Sequence, residues 1–279
     1  MPIHDQGYRR YEGGRAPEGR AWLVIARTGI RTLLGKRQFL GLLLLAWFPF
    51  FGRAALIYAS VNLPQAALFE TTPSTFRQFL EVQELFLFPI VVYAGAGLIA
   101  NDRRANALQI YLSKPLTRVE YIFGKLAVLM TFMLFVTWLP AILLLVIQVL
   151  FSGSFTFVVA NLRLLPAITV FAMVQVVTVS SAMLALSSLS RSSRYVGILY
   201  AALVFFSQAM YGVLFIVTRD PRFSWISMLF NLGQVGDFIF GLPLRYKAPV
   251  PVSFLILLLL VAVSGVVLDR RVRGVEVVR

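Results

Sequence analysis

Apolar residues run along this chain in six long blocks: Phe39–Val61, Phe79–Ala100, Ile122–Phe151, Leu164–Leu189, Tyr195–Val217 and Val250–Leu268. Short polar segments separate them. A hydrocarbon layer about 30 Å thick is crossed by roughly 20 residues of helix, and each block reaches or approaches that length. Backbone inside hydrocarbon must bond within its own segment, so each block is expected to be helical. The pattern predicts an all-α membrane protein with six transmembrane helices over residues 39–268.

The polar segments alternate in charge. Before the first block stand Arg9, Arg10, Arg15, Arg20, Arg27, Arg31, Lys36 and Arg37. The connection after the second holds Arg103, Arg104, Lys114, Arg118 and Lys125, and that after the fourth holds Arg191 and Arg194. The tail holds Arg270, Arg271, Arg273 and Arg279, whereas the other three loops share Arg77, Arg163, Arg219, Arg222, Arg245 and Lys247. Cytoplasmic segments keep Lys and Arg, so both termini are expected in the cytoplasm, with the chain in the cell (inner) membrane. The net charge of +14 is then a topology signal. It does not point to nucleic acid, because no single face gathers it.

Residues 1–20 read as a loose cytoplasmic arm, polar and rich in Gly and Arg. Residues 269–279 read as a cytoplasmic tail. Between arm and first span, residues 21–38 alternate Trp22, Ile25, Ile30, Leu33 and Leu34 with Arg27, Arg31, Lys36 and Arg37. That pattern is too charged to span. It suits a helix lying in the interface, or a cytoplasmic extension of span one. There is no cysteine, and the one histidine is His4 in the arm. Thiol chemistry and His-based metal or catalytic clusters are therefore not available.

The connection after span two carries the most local signal. Span two ends in Ala94-Gly95-Ala96-Gly97, and Asn101 or Asp102 is placed to cap a short helix. Ala105, Leu108 and Leu112 then share a face, Pro115 stops the helix, and Thr117-Arg118-Val119-Glu120 forms a capping box that opens the next one. The result is either an apolar ridge with a basic rim, suited to a soluble partner, or a surface turn.

The same run carries a family resemblance. Asp102-Arg103, Asn106-Ala107-Leu108, Leu112-Ser113-Lys114-Pro115-Leu116-Thr117-Arg118 and Gly124-Lys125 resemble the signature of type-2 ABC exporter permeases. Asp102 stands where Glu is commoner, and Asn106 where Gly is frequent. The resemblance extends to the six spans, the cytoplasmic termini, an elbow helix before span one and half-buried helices before span six. It implies a dimer of permeases, a homodimer here, docked to two cytoplasmic ATPase subunits. The docking residues would be Asp102, Arg103, Arg104, Asn106, Leu108, Tyr111, Leu112, Ser113, Lys114 and Pro115. ATP and Mg would sit on the partner subunit, with no cofactor on this chain, and lipids would be the remaining partners.

The chain has no phosphate loop of its own. Gly14–Gly19 is followed by Arg20-Ala21 and lacks the Lys and hydroxyl that cradle phosphate. No intramembrane protease motif is present, and Glu81 and Glu84 are placed in the outer turns of span two, with Arg77 and Glu81 spaced as a surface pair. The alternative to an exporter permease is a polytopic scaffold or lipid-handling factor without transport.

Within the spans, Arg53 either snorkels outward or faces a path, paired with Glu81 or Glu84. Gln148, Gln175 and Gln208 suit hydrogen bonds between helices, and Thr178, Ser181, Ala185 and Ser188 form a small-residue packing stripe. Pro49, Pro89 and Pro140 are expected to kink their helices. In the loop before span six, Asp220-Pro221 opens a helix, Phe223, Trp225, Ile226, Leu229, Phe230 and Leu232 come after it, and Gly233 is its expected stop. Trp225 and Phe230 are candidates for a gate over the exit, or else for a lipid anchor.

Overall fold

The computed structural model describes residues 21–63, 71–107 and 116–272. The arm, most of the docking run (Leu108–Pro115), and Arg273 and Arg279 of the tail therefore lie outside the described residues. Among the described residues six helices are long and apolar enough to span a membrane: Arg37–Asn62, Pro73–Arg104, Arg118–Ser152, Leu164–Leu189, Ser193–Thr218 and Val250–Arg271. They are numbered 1 to 6 below. Successive spans run in opposite directions, so Lys36, Arg104, Arg118 and Arg191 gather at one end, the basic end.

Span 4 is the hub. Its core window is 72% buried, against 6% for span 5 and 17% for span 6. The small-residue stripe explains this: Thr178, Ser181, Ala185 and Ser188 are all buried and let neighbouring backbones close in. A Cβ on Gly95 of span 2 would collide with Met183 Cγ of span 4, so that crossing requires glycine. The apolar faces of spans 1, 5 and 6 point outward, which is the solvation expected in lipid.

Three spans are interrupted, each near a residue that weakens the helical ladder. Span 1 breaks at Trp47, two residues before Pro49, and span 3 breaks at Thr137, three residues before Pro140. Proline has no N–H and its ring crowds the preceding turn. Span 2 breaks at Ala96 within its Gly-Ala run. Ser187 of span 4 repairs that break: its hydroxyl donates to Ala96 O (2.9 Å) and accepts from the N–H groups of Ile99 and Ala100 (3.1 Å each). Pro89 lies inside Pro73–Gly95, which is assigned as one helix throughout. Span 5 contains one π-helical stretch, Ala202–Phe206.

A separate helix, Ala21–Leu34, precedes span 1 and is divided from it at Gly35-Lys36. It packs along the first part of span 3 through two glycines. A Cβ on Gly124 would meet Ile25 at 2.8 Å, and one on Gly29 would meet Val128 at 2.6 Å. The stretch is therefore a helix of its own, separated from span 1 by that break.

The segment before span 6 departs from its expected layout. Asp220 does cap Pro221, its Oδ1 accepting from Arg222 N at 2.8 Å. The chain then makes a short 3-10 turn, Pro221–Ile226, and a helix, Met228–Ile239, capped by Ser227. Gly233 lies inside that helix instead of ending it. Residues Asn231–Asp237 are all buried, while Trp225 and Phe238 remain exposed.

Candidate functional site

At the basic end, Asp102 is not a cap. It lies in the last helical turn of span 2, Gly97–Arg104, and turns inward. Its carboxylate accepts from the Tyr121 hydroxyl at 2.7 Å and pairs with Lys125 Nζ at 2.7 Å, both on span 3. Arg103 donates to the carbonyl of Ser188 on span 4. Two of the expected docking residues thus tie the root of the connection to spans 3 and 4. Arg104 and Asn106 are exposed. Asn106 has φ +52°, a left-handed conformation that Gly adopts freely and Asn tolerates. This accounts for Asn at a position where Gly is frequent. At the far side of the connection the capping box is formed: Glu120 N donates to Thr117 Oγ1 at 3.2 Å and Thr117 N to Glu120 Oε2 at 3.0 Å. Leu108, Tyr111, Leu112, Ser113, Lys114 and Pro115 lie outside the described residues.

Midway through the bundle, Gln83 of span 2 joins the two proline breaks. Pro140 cannot donate to Val136 O, and Phe50 N donates to Trp47 O instead of Ala46 O. Gln83 Nε2 donates to both freed carbonyls, Ala46 O at 3.1 Å and Val136 O. One amide thereby satisfies the orphans of two helices, which hydrocarbon cannot do.

Glu84 is also deeper than expected. Span 2 starts at Pro73, with Thr72 and Thr75 closing a capping box, not at Phe79. Glu84 therefore stands about 16 Å along the helix. Its Oε1 accepts from Gln175 Nε2 at 3.3 Å, and Gln175 lies near the midpoint of span 4. A carboxylate does occupy the bundle interior. The expectation failed because the cap lay outside the apolar block used to set the span.

The opposite end holds the densest charge cluster among the described residues. Arg77 is buried, not a surface partner of Glu81. Its Nε lies 3.2 Å from Asp237 Oδ1, Nη2 donates to Gly233 O at 3.3 Å, and the guanidinium stacks over Phe171 at 4.7 Å. Asp237 also receives Arg245 Nε at 2.7 Å, and Arg245 Nη1 reaches Glu81 at 2.8 Å. The hydrogen bonds that Arg245 donates to Asp237, and then to Glu81, raise its pKa above the ordinary value against the pull of burial. Burial raises that of Tyr246 beside it. Gly233 and Gly236 make the room: a Cβ on Gly236 would lie 2.5 Å from Arg77 Nε. The only sequence trace of this cluster was the pair of glycines at i, i+3 before Asp237.

Arg53 meets neither Glu81 nor Glu84. It reaches Gln78 Oε1 at 3.5 Å and remains half-buried. Trp225 and Phe230 are not brought together as one gate. Trp225 is exposed, while Phe230 stacks on Tyr246 (4.6 Å between ring centres) and meets Tyr211 edge-on (5.1 Å).

The span count and layout are those of a polytopic helical membrane protein, and comparison with known proteins supports a membrane permease. No curated protein matches the chain. The family model described as "ABC-2 family transporter protein" matches residues 23–268. That match runs from the helix before span 1 to the end of span 6, and the chain belongs to the ABC-2 transporter family.

Proposed function

We propose that this chain is the permease subunit of an ATP-driven exporter, working as a homodimer with two separate cytoplasmic ATPase subunits. Hydrolysis of ATP, with its Mg, belongs to those subunits. Both termini and the basic end face the cytoplasm of the inner membrane, and helix Ala21–Leu34 stands at that end against span 3. The observation that carries the proposal is the anchoring at Asp102. A force applied to the connection after span 2 passes through Asp102 to Tyr121 and Lys125 on span 3, and through Arg103 to Ser188 on span 4. The connection is thus geared to three spans at once, which a plain linker does not require. Closure of the ATPases would shift this root, and the interrupted spans supply places to bend. The segment before span 6 would cover the exit, with Phe230 packed within it.

The test is capture of an ABC ATPase by the tagged permease from membranes. Leu108→Asp is expected to abolish capture, by placing a charge in the partner groove. Asp102→Ala is expected to leave capture in place while lowering permease-stimulated ATP hydrolysis several-fold. If the wild-type chain recovers no ATPase, the reading as a scaffold without transport is favoured.

A further inference from the structure

One interior feature is not used by the coupling scheme. A cavity of about 210 Å³ lies between spans 2, 4 and 5 and the helix Met228–Ile239. Its walls are Leu85, Phe88, Tyr200, Phe205 and Leu232, and its polar floor is Glu84 and Gln175. Leu85 and Phe205 are exposed and stand at its mouth. Phe88 stacks on Tyr200 at 5.6 Å and meets Phe205 edge-on at 5.1 Å. The π-helical stretch of span 5 supplies Val204 and Phe205 to this wall.

The hydrogen bonding of the floor is one-sided. Gln175 is fully buried, and its amide N–H is spent on Glu84. Its Oε1 has no partner. Glu84 is a pure acceptor when ionised. The nearby cations are already engaged: Arg77 with Asp237, and Arg245 with Asp237 and Glu81. Within this group of five charges the acids outnumber the bases by one, and Glu84 is the unmatched carboxylate. A half-buried carboxylate inside the bundle calls for a counter-charge or a proton, and an aromatic wall favours a cation over its face.

We propose that this cavity is a subsite for a protonated amine carried on an apolar body. The ammonium would donate to Glu84 and to Gln175 Oε1, and the body would lie against Phe88, Tyr200 and Phe205. This rests on the permease reading above and names the substrate class for it: amphipathic amines.

The experiment needs no ATPase. Fluorescence titration of the detergent-solubilised full chain uses dansylcadaverine, whose alkylamine is protonated at neutral pH, and its neutral N-acetyl derivative. The wild type is expected to bind the amine at least tenfold more tightly than the acetylated form. Glu84→Gln keeps the shape and is expected to remove that preference while leaving the acetylated probe within twofold. Equal wild-type affinity for the two probes overturns the subsite, whether or not the variant folds. So does a Glu84→Gln chain that retains the full preference. ATPase capture without amine preference overturns the subsite alone. Amine preference without ATPase capture keeps the subsite and overturns the coupled-exporter reading.

Discussion

Arg77 and Asp237 lie 3.2 Å apart with their side chains only 2% and 3% exposed, joining span 2 to the helix before span 6. Removing one partner of a buried pair costs about 3–5 kcal/mol when the other is left uncompensated. The two partners are not equivalent here. Asp237→Asn leaves Arg77 without its paired carboxylate, held by the Gly233 carbonyl, Phe171 and a neutral amide oxygen. Arg77→Met leaves Asp237 still held by Arg245. Asp237→Asn is therefore expected to lower the Tm of the purified chain more than Arg77→Met. The double variant should recover part of the loss. Equal effects of the two single variants would refute the asymmetry.

Gly236 gives a sign test. Gly→Ala inside a helix normally stabilises by up to about 1 kcal/mol. At Gly236 the new Cβ would meet Arg77 Nε at 2.5 Å and Phe171 at 2.8 Å, so Gly236→Ala should lower Tm. Gly265→Ala has nothing within 4 Å of the new Cβ and should leave Tm unchanged or raised. Parallel thermal unfolding of the two variants in detergent decides it.

Gln83→Leu should strand two interior carbonyls, at about 1–3 kcal/mol each. The cycle with Pro140→Ala is the sharper measurement. Alanine restores an N–H able to serve Val136 O, so Gln83→Leu should cost less in that background. Strict additivity of the two changes would mean that Gln83 does not act through the proline break.

Trp225 and Phe230 should separate. Phe230 is ringed by Tyr211 and Tyr246, and Phe230→Ala is expected to destabilise by about 2–4 kcal/mol, at or below the usual range for a buried Phe because it is only half-buried. Trp225 is exposed, and Trp225→Ala should change stability by less than about 0.5 kcal/mol. Should Trp225→Ala nonetheless abolish export, the exposed ring acts on substrate or on a second copy.

Topology is testable without background, since the chain has no cysteine. Ser154→Cys, exposed after span 3, should react with an impermeant maleimide in intact cells. Arg191→Cys, exposed after span 4, should react only after permeabilisation. The reverse pattern would invert the assignment of the basic end.

Six apolar blocks were enough to establish six helical spans, because hydrocarbon allows a lone segment no other way to satisfy its backbone. The helix at residues 21–34 and the Thr117–Glu120 box were equally legible, since amphipathic period and capping are local properties. The interruptions near Pro49 and Pro140 likewise have a cause within one turn. Span ends were less legible: the Thr72 cap extended span 2 by six residues beyond Phe79 and carried Glu84 into the interior.

What the sequence determined by itself is what short-range chemistry controls: span number, charge alternation and the family pattern in Asp102–Lys125. What only the tertiary structure decided is which polar groups meet. Arg77 finds Asp237 across 160 residues instead of Glu81 one turn away. Asp102 turns to Tyr121 and Lys125, and Gln83 to two carbonyls on different spans. The physical reason is common to all three. A polar group turned into the bundle must be satisfied by whatever neighbour packing brings within about 3 Å. That neighbour is chosen by how small residues such as Gly95, Gly124 and Gly236 let the helices approach, and not by distance along the chain.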